Sequence, residues 1–403
     1  MASKPYDAIV VGARCAGSPL AMLLARKGHK VLVVDRATFP SDTISTHLIH
    51  PPGVAALKRW GLLDQVVATN CPPIAQYTFD FGPIALSAPP GTPESPVAYC
   101  PRRQRLDTIL VEAASKAGAE VRQEFVVDEL VTENGEVTGI RGRGKGGATV
   151  TERAKVVVGA DGLHSTVAKA VKPEQYNEKP HLNTSYYTYW SGLPMNGGFE
   201  TYIRPGRGFA AIPTNDDLTL IVVGVPQAEF ETYRKDIEGT YRGAIDLVPS
   251  FAERFRGAKR EERFVGTSVP NYLRKPYGPG WALVGDAGYN KDYLTAQGIS
   301  DAFRDAETIA GALDTALSGA KPFDAAMGEY HAARDRHAMP MYEFTAQVAT
   351  IEPPSPEFAQ VLGVLAGRKE GRAGFIQVQA GVLSPAEFFA PENIGRLMAT
   401  AAR

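Results

Sequence analysis

The sequence predicts an α/β fold in which a parallel-sheet domain is interleaved with an antiparallel sheet, with a helical segment closing the chain. Three observations predict it. A βαβ pattern opens the chain, two further strands ending in glycine return downstream, and the stretches between them are rich in short alternating strands.

The opening pattern is "VVGARCAGSPLAMLLARKGHKVLVVDR", residues 10–36. Residues 8–11 form a short buried-strand run and residues 31–34 supply the next strand. Pro19 is tolerated in the first helical turn, and Gly28 can end the helix in a left-handed conformation. The turn follows the dinucleotide fingerprint G-x-G-x-x-G with one departure, since its glycine positions read Gly12, Arg14 and Gly17. Gly12 permits the tight turn, Gly17 lets helix and strand pack closely, and Asp35 ends the second strand within reach of a ribose hydroxyl. A glycine at the middle position normally lets backbone approach a pyrophosphate. Arg14 is therefore expected to send its side chain outward, toward the phosphates, as a charged clamp.

The second motif is "VVVGADGLHSTV", residues 156–167, a buried strand breaking at Gly159 into a turn with Asp161 and Gly162. Val126 and Val127 fall in another short strand before the turn "ENGEV", the pattern of a small sheet layered over a dinucleotide fold. The third motif is "GWALVGDAGYNKDYLTAQGISDAFRDAETIAGAL", residues 280–313. Residues 281–284 read as a strand ended by Gly285 and Asp286, and a helix begins near 297–300. Such a helix start presents unpaired N–H groups and the positive end of the helix dipole.

At 403 residues the chain is long for one core, and two interleaved domains are expected, for which 44% apolar residues supply the material. A net charge of −1 gives no electrostatic case for nucleic acid or an anionic membrane. Cys15, Cys71 and Cys100 are odd in number and widely spaced, which argues against a disulfide framework and a metal site and suits a reduced cytoplasm. Cys15 at a helix start would have a lowered pKa, although a small buried residue is the plainer role. The first strand begins within about seven residues of the start, leaving no room for a signal peptide, and no apolar run approaches the about 18 residues of a membrane span. The expectation is a soluble cytoplasmic protein without integral membrane association, of undetermined oligomeric state.

In order and spacing the three motifs resemble those of the FAD-dependent aromatic hydroxylase family, the single-component flavoprotein monooxygenases, over nearly the whole chain. The "GAR" turn and the pair Asp35 and Arg36 resemble a bacterial secondary-metabolism subgroup. The resemblance implies that Gly12, Ala13, Arg14, Gly17, Asp35 and Arg36 hold the ADP part of FAD. Arg103, three residues before Leu106 in "RRQRLDTILVEAA", contacts the cofactor in that family, and Val127 is counted with the same set. The Asp161 motif serves flavin and nicotinamide exchange, Gly285 and Asp286 bind the ribityl chain, and Gly298 and Ile299 start the helix facing flavin N1 and the C2 carbonyl. FAD rather than NAD alone follows because a second glycine-ended strand returns about 270 residues later to complete the same site.

The family usually has glutamate at position 35, glycine at 14, often arginine at 168 and proline at 293, where this chain has Asp35, Arg14, Ala168 and Tyr293. Tyr293 is expected beside the reactive edge of the flavin, filling volume that a proline would leave open. His47, in "DTISTHLIHPPG", is the second candidate at that edge.

The implied architecture is a Rossmann-like FAD-binding domain of residues 1–66, 101–171 and 271–317. An antiparallel β-sheet substrate domain of residues 67–100 and 172–270 should roof the flavin ring, and residues 318–403 form a helical C-terminal segment with a loop at 351–357. In "TSYYTYWSG", strand alternation should divide Tyr186, Tyr187, Tyr189 and Trp190 into core and pocket sets. Met339 and Met341 stay open between pocket and core.

The function implied is hydroxylation of an aromatic or polycyclic small molecule by molecular oxygen, through a flavin hydroperoxide formed after reduction by NAD(P)H as co-substrate. The alternative is a flavin-dependent, geranylgeranyl-reductase-like reductase of prenyl double bonds. That group carries a bulky aromatic signature ending in Phe-Pro where this chain has "GFAAIPTND", with Ala210 and Ala211 leaving space. The Trp-x-Trp-x-Ile-Pro segment of flavin halogenases and the second G-x-G-x-x-G of two-fingerprint Baeyer-Villiger enzymes are absent from the sequence. A third reading, from a different class, is a non-catalytic flavin-bound ligand-binding protein.

Overall fold

The computed structural model describes residues 5–352 and 354–399. Pro353 in the expected loop, and the ends 1–4 and 400–403 of the expected ranges, lie outside the described residues.

Strand Tyr6–Val11 is the centre of the first sheet, parallel to Val31–Val34 on one side and to Thr149–Gly159 on the other. Trp281–Leu283 extends the sheet in parallel beyond Thr149–Gly159, and Glu120–Arg122 extends it beyond Val31–Val34. Parallel strands covered on both faces become continuous apolar runs, as in the "VLVV" of the second strand. Helices Gly17–Arg26, Arg103–Lys116 and Gly298–Leu317 contribute to the core on one face. On the other, Phe125 and Ile140 pack on Ile9, Val11 and Val157. Val126 and Val127 belong to an eight-residue strand, Val126–Glu133, longer than expected, whose hairpin partner Glu136–Arg143 pairs in turn with Thr149–Gly159.

The second sheet is antiparallel along Asn183–Ser191, Thr219–Pro226, Arg207–Pro213 and Gly198–Arg204. One pairing departs from expectation: Gly198–Arg204 runs parallel to Gln76–Asp80. The two strands are joined by a long crossover through the first domain rather than by a hairpin, so no turn forces them antiparallel. The stretch read as strand-rich also contains helices Phe230–Lys235, Ile237–Asp246 and Pro249–Phe255. They escape a pattern reading because none exceeds ten residues and their buried positions include Tyr233, Tyr241, Phe251 and Phe255, aromatic residues that weigh toward strand.

These helices cover one face of the second sheet, where Tyr186 and Trp190 lie, while Tyr187 and Tyr189 face the opposite side. Alternation divides the four aromatics by face, but both sets are buried in core clusters and neither forms the expected pocket lining. Helices from Phe323–Val348 to Pro391–Ala399 close the chain. Among the described residues no helix is long and apolar enough to cross a membrane, and no group of three or more His, Cys, Asp or Glu could hold a metal ion.

Candidate functional site

The first turn is built by contact. Gly12 has φ +103°, and a Cβ there would lie 2.4 Å from the carbonyl oxygen of Ala160; a Cβ on Gly17 would lie 1.8 Å from the carbonyl oxygen of Gly12. No larger residue fits either place, and the close approach sets Asp161 beside Gly12. Asp35 braces the same turn, its Oδ2 accepting the Ala13 N–H at 2.7 Å and its Oδ1 the Ala37 N–H at 2.8 Å. Spare lone pairs on that carboxylate remain able to accept a ribose hydroxyl. Arg36 beside it is exposed. The Phe125 N–H donates to the Asp35 carbonyl at 2.9 Å, which brings the strand carrying half-buried Val127 to this end of the sheet.

Arg14 does not point outward. Its guanidinium pairs with Asp107, donates to Ser41 Oγ at 3.1 Å and lies 5.3 Å from the centre of the Phe39 ring. The reason is electrostatic: Asp107 is fully buried, and a carboxylate in the interior needs charge-assisted partners. Arg103 is its second partner, with Nε at 3.0 Å from Oδ1 and Nη2 at 3.1 Å from Oδ2. Sequence reasoning missed Asp107, whose one signal is its position a helical turn after Arg103. Cys15 also departs from the helix-start expectation, because burial pushes its thiol up to about 12 and outweighs the nearby arginines.

Strand Trp281–Leu283 closes the cleft. The Val284 N–H donates to the Gly159 carbonyl at 2.9 Å, and the chain turns at Gly285 with φ +61°. Asp286 is open to solvent on one side but surrounded by the cleft, and the desolvation this imposes raises its carboxyl to about 6, against the pull of Lys291 and Arg103. Helices Gly17–Arg26 and Gly298–Leu317 both start without a side-chain cap. Gly298 is exposed and Ile299 is buried. Asp161 accepts the Thr166 N–H at 2.6 Å through Oδ2, and its Oδ1 has no partner. Two uncapped helix starts, a glycine cradle that no side chain could share and a carboxylate between them suit a cofactor with phosphates, a hydroxylated chain and an electron-accepting ring.

His47 adopts φ +60° and is wholly buried. Its Nε2 meets the Tyr189 hydroxyl, Nδ1 has no partner, and burial, assisted by Arg103, lowers its pKa to about 3, so the ring is neutral. Tyr189 carries the Arg102 guanidinium 4.0 Å from its ring centre, and Arg102 is held by Asp42 at 3.0 Å and Glu262 at 2.8 Å. This cluster escaped the sequence reading because its members come from four separate stretches.

Between the second sheet, the turn Tyr293–Thr295 and the C-terminal helices lies a cavity of about 990 Å³, lined by Tyr293 and by Thr46, the neighbour of His47. Its sheet wall is hollow at the centre, where Thr201 pairs across to Ala210, Ala210 to Val222, and Gly208 to Gly224. The Tyr293 hydroxyl lies 3.1 Å from where a Cβ on Gly224 would stand, so glycine makes room for the phenol. Ala210 faces the cavity, whereas Ala211 packs against the helices on the other face and leaves no space in the site, a correction that strand alternation requires. Met339 lines the cavity, while Met341 belongs to the buried core beside it. Gly208 and Gly224 were legible in principle, because isolated glycines inside strands mark a close approach.

The fold and cleft are those of an FAD-dependent oxidoreductase. A family model described as FAD binding domain matches residues 5–345. The chain belongs to that family, of the FAD-dependent aromatic hydroxylase type, and is an FAD-dependent oxidoreductase of the monooxygenase type. It is 28% identical over 307 residues to a digeranylgeranylglycerophospholipid reductase of Methanocella arvoryzae, covering 74% of each chain. It is 27% identical over 329 residues to the squalene epoxidase erg1 of Schizosaccharomyces pombe, covering 76% of this chain and 68% of that one. The structure of the flavin-dependent brominase Bmp2 shares the fold with a TM-score of 0.83 at 18% identity, over 99% of this chain and 98% of that one.

Proposed function

We propose that the protein hydroxylates an aromatic or polycyclic small molecule, using FAD, NAD(P)H and molecular oxygen. One observation carries the reading. The apolar cavity is bounded by Tyr293, Leu294, Thr295 and Ala296, the segment that joins the Gly285–Asp286 turn to the uncapped start of helix Gly298–Leu317. A ring cofactor at that helix start meets whatever the cavity holds.

When bound, FAD supplies electron transfer and oxygen activation. In this reading Gly12, Ala13, Gly17 and Asp35 seat the ADP part, Arg103 lies under it with its charge fixed by Asp107, and Asp286 accepts from the ribityl hydroxyls. The helix start at Gly298 favours negative charge on the ring by about 0.3 to 1 kcal/mol. Residues 1–66, 101–171 and 271–317 form the cofactor domain, and residues 67–100 and 172–270 the roof. The cavity walls orient the substrate and keep water out, so that activated oxygen meets carbon rather than solvent.

The test is anaerobic addition of NADH or NADPH to the yellow protein, followed by air and a panel of aromatic compounds. Bleaching of the flavin and a product heavier by one oxygen atom are expected. A flavin that neither nucleotide bleaches would overturn the reading.

A second reading, reduction of prenyl double bonds, is favoured by the relationship to the Methanocella arvoryzae reductase. Its product would gain two hydrogen atoms and no oxygen, and would form without air. The hollow at Ala210, Gly208 and Gly224 favours a ligand with the width of a ring system over a single prenyl chain.

A further inference from the structure

We propose that the cavity takes an uncharged, multi-ring ligand and that it turns away carboxylate-bearing ligands. This rests on the proposed function and narrows its substrate class.

Shape comes first. The sheet wall is smallest at Thr201, Ala210, Gly208 and Gly224, and the C-terminal helices present Phe344 and Phe389 to the same space, stacked with their ring centres 5.7 Å apart and 19° between planes. A sheet wall of small residues facing a wall that carries aromatic rings leaves width for fused rings, which gain dispersion contacts along their faces.

Polarity comes second. The hydroxyls of Thr201 and Tyr293 are buried without a hydrogen-bond partner. Ser185 Oγ adjoins the Tyr293 phenol and is itself buried without another partner. Burial raises the phenol, which therefore keeps its proton. Both hydroxyls are closed off from the cavity, so the wall a ligand meets is mainly apolar, lined by Phe79, Phe199, Ile212, Val222, Phe344 and Phe389.

Charge is third. Among the described residues lining the cavity there is no Lys, Arg or His, and the acidic ones are Glu343 and Glu352. Glu343 is engaged by Lys179 at 2.9 Å. A carboxylate entering this space would lose its hydration, find no cation and meet like charge.

The experiment uses the FAD-loaded protein without nucleotide and a matched pair of probes, a methylanthraquinone and the corresponding anthraquinone carboxylate, near neutral pH. Dissociation constants are read from quenching of protein fluorescence and perturbation of the flavin band. The neutral probe is expected to bind at least about tenfold more tightly. Thr201→Arg should reverse that order by supplying a cation. If this variant misfolds, Gln347→Lys, at an exposed position on the cavity wall, decides instead by the same reversal. Equal or tighter binding of the carboxylate to the unaltered protein would overturn the proposal, as would failure of both probes to bind. Selective binding of the neutral probe without any nucleotide-driven turnover of aromatics would sink the proposed function and leave this ligand class standing. Carboxylate preference with turnover would do the reverse.

Discussion

Arg103 and Asp107 meet side-on one helical turn apart, with Nε on Oδ1 at 3.0 Å and Nη2 on Oδ2 at 3.1 Å, and both side chains are nearly or fully out of water. Arg14 reaches the same carboxylate from the first turn. The arginine that resembles a family cofactor contact is thus held in one orientation by an acid that also anchors the fingerprint's unusual residue. Removing the acid would strand two cations at once.

Asp107→Asn is accordingly expected to lower the unfolding free energy by about 3 kcal/mol, the scale for breaking a buried pair. Flavin retention should fall with it, because Arg103 loses its orientation. Urea titration and the flavin-to-protein absorbance ratio measure both, and an unchanged midpoint would refute the role given to Asp107.

Arg14→Gly is predicted to keep FAD, since the helix start at Gly17 supplies phosphate contacts and glycine restores the usual turn. The expected loss of stability is about 1 kcal/mol, smaller because the Arg14 side chain is 23% exposed. A colourless Arg14→Gly protein would make Arg14 itself a phosphate ligand.

Asp286→Ala should emerge largely colourless, because the ribityl hydroxyls lose a charged acceptor worth about 1.5 to 3 kcal/mol. Full flavin occupancy after purification would remove Asp286 from the cofactor site.

Tyr293 opens a short 3-10 turn, and the residue before it, Asp292, has φ −49° and ψ 143°, backbone that a following proline accepts. Tyr293→Pro should therefore fold and hold FAD, but release a larger share of NAD(P)H electrons as hydrogen peroxide and accept a different range of substrates, since cavity shape decides what meets activated oxygen. Unchanged coupling across a substrate panel would place the side chain outside the reacting space.

His47 predicts a pH effect. Its folded pKa of about 3 lies below the unfolded 6.5, so as pH falls through 6.5 the unfolded chain takes up a proton that the folded protein refuses. Stability is whole above pH 6.5 and declines below it, by at most about 1.4 kcal/mol per pH unit for this group. Asp286 and Asp292, both raised to about 6 by burial, act in the opposite sense over the same range. The comparison must therefore be with His47→Asn, in which the His47 component alone disappears. Identical acid limbs for the two proteins in urea titrations would show that the ring takes up its proton in the fold.

Much of the first sheet was legible, because buried parallel strands write themselves as apolar runs and Gly12, Gly17 and Gly285 answer to local backbone needs. The partner of Arg14 was not, since the fingerprint describes a turn and says nothing of a carboxylate 93 residues away. Tyr189 against His47 was hidden for the same reason, being separated by 142 residues. Alternation divided the aromatics of Asn183–Ser191 into two faces but not into core and pocket, since both sets are core residues and the cavity lies beyond them. The helices behind that sheet were disguised by their own aromatic residues.

The central strand Tyr6–Val11 waits for its neighbour Thr149–Gly159, and that strand for Trp281–Leu283. During synthesis the first βαβ unit leaves the ribosome with both strand edges open, one until residue 122 and the other until residue 159 has been made, and the edge of Thr149–Gly159 then waits until residue 283. Pairings so distant in sequence close slowly and expose strand edges meanwhile. The same threading that brings residues 12–36 and 281–299 to one cleft keeps strand edges of the newborn chain open while that cleft is being completed.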